Sequence, residues 1–135
     1  MAEGNKFRLQ IISPTRIFYE DDIDMAEMRT TEGEIGVLAG HIPLTVILEP
    51  GVFRIKKDGE VKEAAMHDGF VQIKQTEVTV LAESCEWPEE IDIKRAEEAK
   101  IRAERRISGG SGATDMVRAE VALKKAILRL DMAKK

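Results

Sequence analysis

The chain is poor in the residues that make disulfides, stacking surfaces and membrane spans. Cys85 is its only cysteine, so no intrachain disulfide can form, and a reducing compartment is expected. The sequence has four Phe, one Trp and one Tyr. None lies after residue 87, where most of the basic residues fall, so base stacking by the basic part is excluded and nucleic-acid binding is not expected. No apolar run approaches the roughly 18 residues of a membrane helix. The opening MAEGNKFRLQ has no apolar signal core, so a soluble protein without a classical export signal is expected. His41 and His67 lie in separate regions, and no Cys, His or carboxylate set has metal-ligand spacing, so no metal site is expected. Cys85 has no local base to make it a nucleophile, and no phosphate-loop pattern occurs. A catalytic set is therefore absent from the expectations.

What is present is an ordinary globular composition, 43% hydrophobic and 34% charged over 135 residues, enough for one core with an appendage. The net charge of -4 is uneven. Residues 1–87 hold 9 Lys/Arg against 16 Asp/Glu, and residues 88–135 hold 12 against 9. Two parts with different partners follow, split at 87/88.

The first part reads as short strands. Phe7, Leu9 and Ile11 alternate with Arg8 and Gln10, and Ser13-Pro14 ends the run. Further strands are expected at 16–19, 23–30, 44–48, 52–57, 61–66, 69–75 and 77–82. Asp58-Gly59 marks a hairpin, and Asp68-Gly69 marks a second turn that would place His67 in a loop. Many short strands with such turns indicate a sandwich or barrel. The stretch TEGEIGVLAGHIPLT (31–45) admits two readings. One is a rigid exposed loop presenting Glu34 and His41 to a partner. The other is a pair of turns flanking a short strand, with glycines taking positive φ.

After Pro88 the period changes. Helices are expected at about 91–107 and 114–133, separated by Ser108-Gly109-Gly110-Ser111-Gly112. Ala96, Ala99 and Ala103 form one seam; Met116, Ala119, Leu123, Ala126, Leu130 and Ala133 form the other. With so short a joint, the helices fold back as an antiparallel hairpin. The expected fold is α+β, an N-terminal β-sandwich followed by a C-terminal antiparallel two-helix hairpin. A second stripe on the last helix, Val117, Val121, Leu128 and Met132, must meet the sandwich or another protein. Arg95 and Arg102 share one helix face, and Arg118, Lys125 and Arg129 share another. Level counting in the hairpin brings the two faces over one span. They either pair with Glu97, Glu98, Glu104 and Glu120 as a solvated surface or meet a polyanion.

FYEDD, TTEGEIGVLAGHIPL, DGF, VTVLAE and IDIKRAEEAKIRAERRI together resemble the epsilon subunit of the F-type ATP synthase, over nearly the whole chain. The resemblance implies a ten-stranded sandwich, a place at the foot of the central stalk, and partners in the gamma subunit and the c-ring. It implies that the glycine-rich stretch, with Glu34 and His41, faces that ring. It further implies a hairpin that opens into the catalytic head of alpha and beta subunits and inhibits hydrolysis. IDIKRA matches a motif that binds ATP in several bacterial members, with Ile91, Asp92, Arg95 and Ala96 at its positions. With Arg102, Arg118, Lys125 and Arg129, these residues make the expected ATP site, for a regulatory ligand and not a catalytic cofactor. Lys125 stands where strong binders often have arginine, and its point charge cannot form a planar fork. Met66-His67-Asp68-Gly69 replaces a common Ser-Gly-Gly turn. The implied role is a non-catalytic rotor subunit of a proton- or sodium-driven synthase. It would lie at the cytoplasmic face of a bacterial plasma membrane and be held there only through the complex. A free-standing nucleotide-sensing or coiled-coil adaptor module is the alternative.

Overall fold

Alternation of apolar and polar residues builds the first unit, which runs to Glu86. In the computed structural model, which describes residues 5–109 and 112–133, strand β1 is Phe7–Ser13, with Phe7, Leu9 and Ile11 buried and Arg8 exposed. Seven strands follow: β2 (Arg16–Ile23), β3 (Met25–Thr30), β4 (Gly33–Val37), β5 (Leu44–Leu48), β6 (Gly51–Lys57), β7 (Glu60–Ile73) and β8 (Glu77–Glu86). Their order is β2-β1-β8-β7-β5-β3-β4, with β6 paired to β3 and β7. All pairings are antiparallel except β1 with β8.

Strand β7 joins the layers of the sandwich. Its residues 60–66 pair with β6 and residues 69–73 pair with β5. Leu9, Ile11, Met28, Phe53, Ile55, Val71 and Val80 are buried in the core. This double service makes one strand of two pairing segments, and eight strands appear where the resemblance implied ten. It also corrects the turn expected at Asp68-Gly69, because the chain runs on as strand. Gly69 is needed there for close approach. A Cβ on it would lie 2.2 Å from the carbonyl oxygen of Leu81 on the neighbouring strand. Glycine in a strand often marks such an approach. His67, expected in a loop, is therefore an in-strand residue, buried, with Nε2 3.7 Å from a carboxylate oxygen of Glu86. Cys85 is buried in β8.

The Asp58-Gly59 hairpin forms as read, with φ of 51° and 80° at its two residues. Such positive values match the twist of the flanking strands. Lys6 ties the start of β1 to this turn. Its Nζ lies 2.9 Å from Asp24 Oδ1 and 2.8 Å from Asp58 Oδ1. These bonds to Asp58 and Asp24 push its pKa up to about 12.

The second unit begins at Trp87. A 3-10 turn at Pro88–Glu90 comes first, then α1 (Ile93–Ser108) and α2 (Ala113–Ala133). Helix α1 starts two residues later than its period suggested because the turn takes up the residues after Pro88 and Asp92 caps the helix. Asp92 Oδ1 accepts a bond of 3.0 Å from the Arg95 amide. A cap of this type stabilises a helix by about 1 kcal/mol. Ala96, Ala103, Ala119 and Ala126 are buried where α1 and α2 pack together. Helix α2 also contacts the 88–90 turn, at the end of α1 away from the joint, so the helices run antiparallel. Gly110 and Ser111 of the joint lie outside the described residues. Of the second stripe on α2, Met132 is buried and Leu128 half-buried, while Val117 and Val121 are exposed. No helix among the described residues is long and apolar enough to cross a membrane.

Candidate functional site

The sandwich carries a surface that its own core does not need. Register places Ile47 opposite Phe70, Phe70 opposite Leu81, Leu81 opposite Ile12, and Ile12 opposite Ile17. Cross-strand partners share a face, so these residues form one row across β5, β7, β8, β1 and β2. Four strand spacings make the row about 19 Å wide. Ile47 is 60% exposed and Phe70 43%, and Ile17 and Leu81 are exposed as well. Contiguous apolar surface on an otherwise well-packed domain marks an interaction site. The sequence reading missed this row, although a signal was there. LTVIL (44–48) is apolar on both faces, as expected of a strand covered on both sides.

The stretch 31–45 takes the second of its two readings. Gly33 (φ 104°) and Gly40 (φ 82°) frame strand β4. Glu34 sits near the start of β4, opposite Arg29, whose guanidinium lies 3.9 Å from it and 3.6 Å from Glu49. His41 lies beyond the other end of the strand. Its Nδ1 donates to the carbonyl of Ile42 at 2.7 Å, which assigns the proton to that nitrogen. A five-residue strand is about 16 Å long, so the structure does not bring Glu34 and His41 together on one loop. His41 instead stands among Leu38, Ile42 and Leu44, all exposed, with Ile42 at 78%.

The hairpin's residues of interest are ordered by its buried alanines. Helical residues advance about 100° each. Arg95, Arg102, Arg118 and Lys125 each come one position before a buried alanine, and Arg129 comes three after Ala126. In an antiparallel pair of right-handed helices, a turn back from the seam leads to the same side on both partners. All five cations therefore line one side of the hairpin. Glu97, Glu104 and Glu120 each come one position after a buried alanine and fall on the other side. Glu98, four residues before Arg102, remains placed to pair with it. Arg95, Arg102 and Arg118 are exposed, and Lys125 and Arg129 half-buried. Ile91 and Ala96 are buried, and the Asp92 carboxylate is engaged in its cap. Level counting places Arg95, Lys125 and Arg129 beside the N-terminus of α1, which itself favours anions, and Arg102 and Arg118 further toward the joint.

Known proteins match both units of the chain. Residues 6–88 match the beta-sandwich domain of the ATP synthase delta/epsilon chain, and residues 89–134 match its long alpha-helix domain. The chain is 50% identical over 109 residues to an ATP synthase epsilon chain from Alkaliphilus oremlandii, covering 81% of each. It is 45% identical to the epsilon chain of Caldanaerobacter subterraneus, covering 96% of this chain and 94% of that one. Among solved structures, a chain of the Euglena gracilis mitochondrial ATP synthase shares the fold with a TM-score of 0.81 at 23% identity, covering 97% of this chain and 82% of that one. A chain of the Tetrahymena thermophila central stalk and c-ring shares it at 0.68 and 14%, covering 95% and 96%.

Proposed function

The chain belongs to the ATP synthase delta/epsilon family, and from that premise we propose that it is the non-catalytic epsilon subunit at the foot of a rotor. There it couples rotation of a c-ring, driven by protons or sodium, to the catalytic head. The observation that carries this reading is the apolar row of the sandwich, with Ile17, Leu81, Phe70 and Ile47 exposed and Ile12 half-buried between them. A monomeric sandwich has no use for it, and an obligate partner such as the gamma subunit covers it. The exposed tip around His41, with Leu38, Ile42 and Leu44, meets the c-ring; Glu34, at the far end of β4, contributes from the strand edge. The subunit then sits at the cytoplasmic face of the membrane, held there by its neighbours.

The helical unit acts as a brake on ATP hydrolysis. When the hairpin opens, its cations meet acidic surface on the alpha and beta subunits. ATP favours the closed form by placing phosphate charge between Arg95 and Arg102 on one helix and Arg118, Lys125 and Arg129 on the other, through charge-assisted bonds. A ligand that binds only the closed form stabilises it by about 1.4 kcal/mol at ten times its Kd, a tenfold shift of a balanced equilibrium. Lys125 keeps the affinity modest.

The test is a synthase rebuilt with residues 1–87 in place of the full chain. Assembly with gamma and c subunits should persist and ATP hydrolysis should rise. Hydrolysis no faster than with the full chain removes the brake. Failure of the full chain to copurify with gamma and c subunits removes the rotor assignment and leaves a free-standing sensor or adaptor.

A further inference from the structure

The chain contains two Asp-Gly steps, Asp58-Gly59 and Asp68-Gly69. Such a step is chemically labile. The amide nitrogen after an aspartate can attack the side-chain carboxyl carbon, and glycine hinders that approach least because it has no Cβ. The two steps share this local chemistry, yet the fold treats them differently.

Asp58-Gly59 forms the tip of the β6–β7 hairpin, with both residues at positive φ. The Asp58 side chain is 67% exposed. A Cβ on Gly59 would meet nothing within 4 Å among the described residues, so the turn has room to reshape. Two tethers hold the aspartate. Lys6 Nζ donates to Asp58 Oδ1 at 2.8 Å, and the Asp58 amide donates to Asp24 Oδ2 at 2.8 Å. Asp68-Gly69 lies inside β7. Gly69 pairs with Leu48 on one side and Ala82 on the other. The space beside its Cα is closed, since a Cβ there would lie 2.2 Å from the Leu81 carbonyl oxygen. Loop tips open at little cost in free energy, whereas core strands open near the cost of global unfolding. Attack requires rotation about the aspartate Cα–C bond. That rotation is accessible at Asp58 and closed at Asp68.

We propose that Asp58 is a modification site, where the chain converts spontaneously to isoaspartate at a rate set by the Lys6 clamp. The Gly59 nitrogen bonds to Cγ of the protonated Asp58 carboxyl. The proton of that nitrogen and the carboxyl hydroxyl leave as water. Water then adds back to the five-membered succinimide. Cleavage at the Asp58 main-chain carbonyl carbon gives isoaspartate, and cleavage at Cγ restores aspartate. Nothing is oxidised or reduced, and the mass is unchanged. The product routes the main chain through Cβ, adding one carbon to it, and leaves the α-carboxylate as a side group. A two-residue turn of fixed twist cannot hold that extra carbon, so the Lys57–Glu60 pair beside it is lost. The turn is one wall of a cleft that Lys6, Asp24 and Leu38 also line, and the modification reshapes that wall.

The test keeps the folded full chain near neutral pH, well below its melting transition, and samples it over weeks. Tryptic fragments carrying positions 58 and 68 are sequenced by electron-transfer dissociation. This cleaves the Cα–Cβ bond that isoaspartate alone places in the main chain. Isoaspartate should form at Asp58 faster than at Asp68 by about tenfold or more. In concentrated urea the two positions should react at similar rates, because the fold alone separates them. Lys6→Met should speed the reaction at Asp58 and leave Asp68 unchanged. Lys6→Arg, which keeps the charge of the clamp, should stay near the parent rate. Equal rates in the folded chain, or no isoaspartate at Asp58, would overturn the proposal. So would a difference that persists in urea, or a Lys6→Met variant that leaves Asp58 unchanged or speeds both positions alike.

Discussion

Replacing Gly69 by alanine asks how tightly β7 and β8 are joined. The added Cβ would lie 2.2 Å from the Leu81 carbonyl oxygen and 2.8 Å from the Ala82 Cα. Both obstacles are backbone, held by pairs on either side: Met66 with Cys85 and Val71 with Val80. To reach an ordinary contact distance, the strands must part by about 1 Å where the ladder is continuous. Overpacking of a rigid site costs about 1–3 kcal/mol and occasionally more. Here no flexible side chain can yield, so we expect about 3 kcal/mol. For a domain of this size that lowers the melting temperature by about 12–24 °C. Gly36→Ala is the internal control. Its Cβ would lie 2.7 Å from the Cε of Met25, the free end of an adaptable side chain, and it should cost less than about 1 kcal/mol. Scanning calorimetry of the two full-length variants compares them with the helical unit unchanged. A melting temperature for Gly69→Ala within about 3 °C of Gly36→Ala would show that the ladder gives way easily, and the reasoning fails.

Further expectations rest on the same structure. Phe70→Ser and Ile47→Ser should change the stability of the isolated chain by less than about 1 kcal/mol, since both side chains are already exposed, yet weaken copurification with the gamma subunit; unchanged copurification refutes the role of the row. Titration calorimetry with millimolar ATP should give heat that Arg95→Ala removes, while equal heat in the variant excludes this side of the hairpin as the site. The carboxyls of Asp21 and Asp24 are held below the usual range, chiefly by bonds to Lys57 and Lys6. Their contribution is complete above the unfolded value and is lost as pH falls through the lower folded values. Lys6, at about 12, contributes fully below its unfolded value and loses that contribution as pH rises through the folded one. Lys6→Met should therefore flatten the loss of stability at both extremes of pH in a denaturant series, and an unaltered pH profile would refute the Lys6 clamp.

Much of this protein is written in local pattern. The alternation Phe7, Leu9, Ile11, the Asp58-Gly59 pair, the change of period after Pro88 and the alanine spacing on the helices are short-range signals. Each describes which face of an element is apolar or where φ turns positive, and each element formed as its pattern says. The cations of the hairpin are legible for the same reason, because a helix places residues by counting. The face of a sheet that stays bare is not local. Ile12, Ile17, Ile47, Phe70 and Leu81 come from five strands, and only register makes them one row. Asp68-Gly69 carries the same composition as the Asp58-Gly59 turn. Tertiary pairing made it strand, because β5 and β8 offered the second half of β7 a ladder on both sides, and a glycine was needed where the Leu81 carbonyl comes close. Likewise Glu34 and His41 are neighbours in the chain but stand at opposite ends of β4, since pairing with β3 draws the residues between them into an extended strand. Sequence distance limits how far apart two residues can be, whereas hydrogen-bond pairing between remote segments decides which of them share a surface.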